Sequence, residues 1–382
     1  MRKTICILAV ISALAACAKV ESFEEQDALG FDVYSARATE TKADDETYVP
    51  TGTGHLPNGS KFGVFGFFHP ENNGNAGSWT DSNPNHPNLM YNQMVEVSEN
   101  AGVYTYTYSP ARYWPKSSKE TISFFAYYPY DLPNGSNYII SSTLDKDSNG
   151  MGTLRYKSSE KPTEQVDFLV SDLCMDQSKA GGVLTGSAVG GDQGKVRFTF
   201  HHMLSMVRVQ VASISSENPK ISIDEDSYSF AFYGFPIAGN CAPVPGAKDP
   251  STGLAPCTFN WSGLLSTVTY THGQEIVQRE TKMEVPKYEN LPDYSDFLLI
   301  IPHEVQENER LEITFDLTRD DFHNEGYSYK DNPLFAYLKT KITRFEANKI
   351  YTFNITVGLN EIKMDAEVTD WTTGTGDFIF DR

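Results

Sequence analysis

The chain has 382 residues, 40% hydrophobic and 21% charged, with a formal charge of −19. An acidic balance of this size excludes nucleic acid as a partner, because phosphate binding needs a basic patch. At this length two or three domains are expected, and no run beyond the N-terminus is apolar for long enough to form a transmembrane helix.

The first residues read as an export signal. Arg2 and Lys3 are followed by an apolar run from Thr4 to Ala13, too short to span a bilayer comfortably, and then by small residues. Leu14-Ala15-Ala16-Cys17 resembles the lipobox of bacterial lipoproteins. Residues 1–16 are therefore expected to be a lipoprotein signal peptide, with Cys17 the acylated first residue of the mature chain. Several acyl chains, at roughly 0.8 kcal/mol per buried CH₂, anchor a chain firmly. Removal of Arg2 and Lys3, with nothing acidic, takes the charge from −19 to −21.

Residues 17–50 begin as an acidic tether containing Glu21, Glu24, Glu25 and Asp27, followed by one short strand, Leu29 to Tyr34. From there the chain reads as β almost throughout. It holds 21 tyrosines and 23 phenylalanines, residues that suit a half-buried pleated surface. Period-two alternation marks Val103–Tyr108, Val196–Phe200, Val207–Val211 and Tyr351–Val357 as strands with one buried face. Turns are predicted at Pro57-Asn58-Gly59, Pro133-Asn134-Gly135, Asn149-Gly150 and Gly239-Asn240. No helical stripe of useful length occurs, and many short strands with frequent turns indicate sandwiches. Ser178 to Lys195 holds six glycines and no aromatic residue, and reads as a linker or as a long loop inside the first domain. A first sandwich is placed at 51–194 and a second at 195–382.

The residue chemistry does not assemble a catalytic constellation: there is no G-x-S-x-G elbow and no H-E-x-x-H. An enzyme and an organic cofactor are not expected. His201 and His202 are adjacent in a strand, so their side chains diverge. Asp145, Asp147 and Asn149, with Gly150, match the opening of a calcium loop, but Tyr156 stands where the bidentate glutamate belongs, so calcium would need ligands from elsewhere in the fold; an Asp/Asn-rich turn explains these residues by themselves, and no metal is expected. Cys241 and Cys257 flank a Pro- and Gly-rich loop and form a candidate disulfide. Tyr113-Trp114-Pro115 and Phe124 to Pro129 are dense aromatic clusters, read either as core or as platforms for sugar rings.

In order along the chain, several segments resemble the fimbrillin family of Bacteroidetes surface lipoproteins, the subunits of type V pili. They are Lys61–Phe68, Tyr113-Trp114-Pro115, Ile122–Pro129, Val166–Val170, Phe198–Ser205, Asn348–Ile355 and Ala366–Trp371. The resemblance implies an all-β protein of two tandem transthyretin-like Greek-key β-sandwich domains. It also implies display on the outer membrane through the lipid anchor, and assembly with other fimbrial subunits or engagement of a host or bacterial surface receptor. In the family a protease removes an N-terminal strand and a strand of the next subunit fills the vacated groove. Here Leu29–Tyr34 would be the removable strand, with Arg37 or Lys42 as the cut. The tail at 372–382, with Phe378, Ile379 and Phe380, is either a donor strand or an edge strand of its own domain. A second class fits the same anchor and acidity: a glycan-binding surface lipoprotein of a nutrient-uptake system. An exposed Trp79, Trp114 or Trp261 would favour it, and burial of all three would count against it.

Overall fold

The computed structural model describes residues 28–35, 55–79, 86–117, 119–130, 139–141, 150–178, 195–213, 221–223, 229–250, 253–272, 275–285, 298–319, 327–328, 333–357 and 362–371. Among these, regular structure is strand apart from two single-turn 3₁₀ segments, Pro162–Glu164 and Leu338–Thr340. The sixteen strands needed below are β1 Gly30–Ser35, β2 Lys61–His69, β3 Met90–Asn100, β4 Val103–Thr107, β5 Thr121–Tyr128, β6 Ile139–Ser141, β7 Leu154–Lys157, β8 Leu169–Ser171, β9 Leu173–Gln177, β10 Lys195–His202, β11 Ser205–Ser213, β12 Ile221–Ile223, β13 Ser229–Tyr233, β14 Ala238–Pro245, β15 Leu254–Ala255 and β16 Cys257–Leu265.

The first half is built on a sheet with the order β1-β10-β8-β5-β2-β3-β4, to which β9 and β15 add beside β5. Every residue of β5 is buried. This follows from its sequence, in which apolar side chains fall at both parities and so need cover on both faces. One face carries Phe62, Val64, Ile122, Phe124, Phe198 and Phe200 into a core closed by β1. The other carries Phe65, Phe67, Phe125 and Tyr127 against a second sheet, β16-β14-β7-β6. Phe65 and Phe125 stack at 4.9 Å across neighbouring strands. Gly63 admits the close approach of Tyr127, since a Cβ there would meet its ring at 2.3 Å.

The second half is a two-layer sandwich. One layer runs Leu298–Ile300, β11, Lys349–Val357, Ile362–Asp370, and the other runs Lys282–Val285, β13, Arg310–Thr314, Leu334–Tyr337. Between them lie Val207, Val209, Phe230, Phe232, Phe353 and Ile355. The alternation at Val207–Val209 and Tyr351–Ile355 is thus the inward face that their period predicts.

Two sequence expectations change. The sheets do not part at 194/195, because β9 and β10 belong to the same one and the first core retains Val196, Phe198 and Phe200; of the two readings of the glycine-rich stretch the linker falls and the loop within the first half stands. The change of sheet comes between β10 and β11. Gly239-Asn240 is not a turn but an irregularity within β14, where the register against β16 shifts. A Cβ at Gly239 would lie 2.8 Å from Leu264 and 3.1 Å from Trp261, so the glycine accommodates the side chains pressed over it.

Candidate functional site

β1 occupies a slot at the end of the first sheet. It pairs in parallel with β10, from Gly30 opposite Lys195 to Ser35 opposite Phe200. On its other side the chain after β4 grips its start. Leu29 N–H donates to the Arg112 carbonyl at 2.8 Å, Tyr108 Oη donates to the Leu29 carbonyl at 2.8 Å, and Ala28 bridges Tyr113.

Alternation decides what enters the slot. Leu29, Phe31 and Val33 are 3%, 2% and 1% exposed. Phe31 meets Tyr108 at 5.3 Å, Phe198 at 5.4 Å and Phe124 at 5.9 Å between ring centroids. Asp32, of the opposite parity, reaches the Arg197 guanidinium of β10 at 3.4 Å. At roughly 1.5–3 kcal/mol for each fully buried apolar side chain, the three together contribute about 5–9 kcal/mol. The partly exposed ion pair adds less than about 1 kcal/mol. Leu56 is buried in the same core, and beside it His55 stacks on Tyr104 at 4.1 Å and bonds Tyr106 Oη at 2.8 Å. Burial lowers the His55 pKa, Asp32 opposing and Arg197 assisting. Sequence reasoning picked out β1 but missed Tyr108, Arg112 and Arg197. Nothing in their local pattern links them to a strand so far back in the chain.

A second polar centre ties the two halves together. His202 Nδ1 lies 2.6 Å from Asp167 Oδ2, with both side chains 3% exposed, and its ring stacks on Trp371 at 4.0 Å. Trp371 N–H donates to the Asn348 carbonyl and Asn348 N–H to the Leu204 carbonyl, each at 3.0 Å. His201 turns the other way, to Asp172 at 2.9 Å. The two histidines diverge as their adjacency requires. Among the described residues no three His, Cys, Asp or Glu side chains converge on a metal position.

Several expected residues fall outside the described ones: Cys17, Arg37, Lys42, the calcium-loop candidates Asp145, Asp147 and Asn149, and the tail residues Phe378, Ile379 and Phe380. The candidate disulfide is corrected. Cys241 and Cys257 are free thiols. The ladder sets Cys241 opposite Trp261 and Cys257 opposite Pro245. Four steps along the strand are about 13 Å, beyond the ~7 Å Cα separation that a disulfide tolerates. Of the tryptophans, Trp79 and Trp114 are buried and Trp261 is half-buried.

A family model described as fimbrillin-like matches residues 36–371. No curated protein matches the chain. Among solved structures, a fimbrial protein from Bacteroides vulgatus superposes with a TM-score of 0.52 at 16% identity, covering 90% of this chain and 99% of its own. A Bacteroides uniformis protein provisionally assigned to cell adhesion gives 0.47 at 13% identity, covering 90% and 98%. The tip fimbrial protein of Porphyromonas gingivalis, truncated at its C-terminus, gives 0.34 at 9% identity, covering 82% and 95%.

Proposed function

Because the chain belongs to the fimbrillin-like family, a class of non-enzymatic structural proteins, we propose that it is a structural or accessory subunit, with an adhesin role, of a type V fimbria. In this reading it is exported as a lipoprotein through Cys17, displayed on the outer membrane, and assembled with other subunits by protease-triggered strand exchange.

The observation that carries the reading is the seat of β1. It is a terminal strand, held in parallel by a segment more than 160 positions later and sealed by three alternate apolar side chains. Hydrolysis after Arg37 or Lys42 would cut the chain beyond the last residue of β1 and leave it attached by non-covalent contacts alone. Departure of β1 would open an apolar slot beside the Lys195–Thr199 backbone, which is what an incoming strand satisfies. Phe378 and Phe380 repeat the i, i+2 spacing of Phe31 and Val33, and so supply a matching donor pattern.

The test is limited trypsin treatment of residues 18–382, with N-terminal sequence and particle size followed together. A new N-terminus after Arg37 or Lys42, with heat-labile multimers, is the expected result. Clean cleavage with the protein remaining monomeric would remove the strand-exchange reading. For the uptake-lipoprotein alternative, Trp79 and Trp114, at 8% and 5% exposed, offer no platform, whereas Trp261 is half-buried, so the burial of all three that would count against it is not met.

A further inference from the structure

We propose that the cleft between β16 and the second sandwich is a binding site for a neutral saccharide unit. The cleft has a volume of about 640 Å³, within the roughly 300–1,000 Å³ of small-molecule sites. β16 contributes Phe259, Asn260 and Trp261 to its wall, and the second half contributes His303, Glu309 and Arg344.

Trp261 is fixed rather than free. Its ring meets Tyr156 at 6.3 Å and Phe168 at 6.0 Å, both edge-on, and lies over Gly239, where a Cβ would come within 3.1 Å. Its Nε1–H has no acceptor. Opposite it, Glu309 is 1% exposed; one carboxylate oxygen lies 2.9 Å from His303 Nε2 and the other, Oε2, has no donor. An unpaired indole donor and an unpaired carboxylate acceptor lining one cleft are each costly to leave unmatched. Both atoms are covered by their neighbours, so reaching them takes a side-chain shift at the mouth. Arg344 stands there 58% exposed, held only at 3.8 Å from Glu304 and 3.5 Å from Glu346.

This set of groups selects a ligand class. A sugar hydroxyl both accepts and donates, so one ring can match the indole, the carboxylate and the Arg344 fork together. Its C–H face suits the aromatic wall of Trp261 and Phe259. An anion is disfavoured by Glu304, Glu309 and Glu346 facing the single Arg344. A simple amine would leave the indole N–H unmatched, and an apolar ligand would leave both groups unmatched. The proposal goes beyond the fimbrial reading and does not depend on it, because the cleft is complete in one chain whether or not that chain polymerises.

Saturation-transfer NMR on residues 18–382 tests it, with glucose, galactose, mannose and N-acetylglucosamine at millimolar concentration and N-acetylneuraminic acid as the anionic comparator. At least one neutral sugar is expected to receive saturation. Arg344→Ala should weaken binding by roughly 2- to 12-fold, the worth of one hydrogen bond, with the melting temperature unchanged. Trp261→Leu should weaken it further; if that variant does not fold, Asn260→Ala takes its place. Failure of all four neutral sugars to bind, binding unaltered in Arg344→Ala, or preference for the anionic sugar would each overturn the proposal.

Discussion

Replacing Phe31 with alanine isolates the side chain on which the seat of β1 most depends. Phe31 is 2% exposed, with three aromatic rings between 5.3 and 5.9 Å from its own. Truncation removes the transfer free energy of the ring and leaves a cavity walled by Tyr108, Phe124 and Phe198. Phe124 and Phe198 are anchored in β5 and β10, and Tyr108, just after β4, is held by its bond to the Leu29 carbonyl, so the three cannot collapse freely. Phe→Ala at such a site costs about 3–5 kcal/mol. Asp32→Ala, one residue away, loses only a partly exposed ion pair and should cost at most about 1 kcal/mol. Urea unfolding of the full chain, followed by the summed fluorescence of its four tryptophans, reads both variants. After a cut at Arg37 the same loss should speed release of the β1 fragment by about two to four decades, at 1.36 kcal/mol per decade, insofar as release breaks the same contacts. A cost below about 1 kcal/mol for Phe31→Ala, or equal costs for the two variants, would refute the claim that alternate burial holds β1.

Other outcomes follow from single groups. Burial takes the His69 pKa from 6.5 down to about 4, with Asp176 opposing. The unfolded chain therefore binds that proton more tightly than the folded one. This contribution is whole above about pH 6.5 and is lost progressively toward pH 4, amounting to roughly 3 kcal/mol; His69→Gln should flatten that part of the stability–pH curve. Burial also raises the Cys241 thiol pKa and pushes that of Cys257 up to about 12. Both should resist maleimide until the protein unfolds, and reductant should leave the melting temperature unchanged; a drop on reduction would revive the disulfide. Trp371→Ala removes a buried ring stacked on His202 and should cost about 3–5 kcal/mol in chemical denaturation. A cost near zero would show that the junction between the halves does not rest on it.

The strands were legible where one parity is apolar. Tyr351, Phe353 and Ile355 announce their inward face, and Leu29, Phe31 and Val33 announce β1. Their partners were not legible, because alternation states which face is buried and is silent about what covers it. Lys195–Phe200 reads as a strand on its own terms, yet its neighbour is β1 at the far end of the sequence. A glycine-rich stretch without aromatic residues resembles a linker in composition, and only pairing reveals that it joins two strands of one sheet. Gly239 fails for a related reason. As a letter beside Asn240 it signals a turn, whereas in the fold it is an empty position that Trp261 and Leu264 fill. The same missing Cβ lets Trp261 lie against the wall of the saccharide cleft, so the residue misread as a turn helps to shape the proposed site. Adding that methyl in Gly239→Ala should displace the indole and weaken any sugar that binds there, while leaving β1 and its slot untouched, because β14 lies on the opposite face of the first sheet from the core that β1 closes.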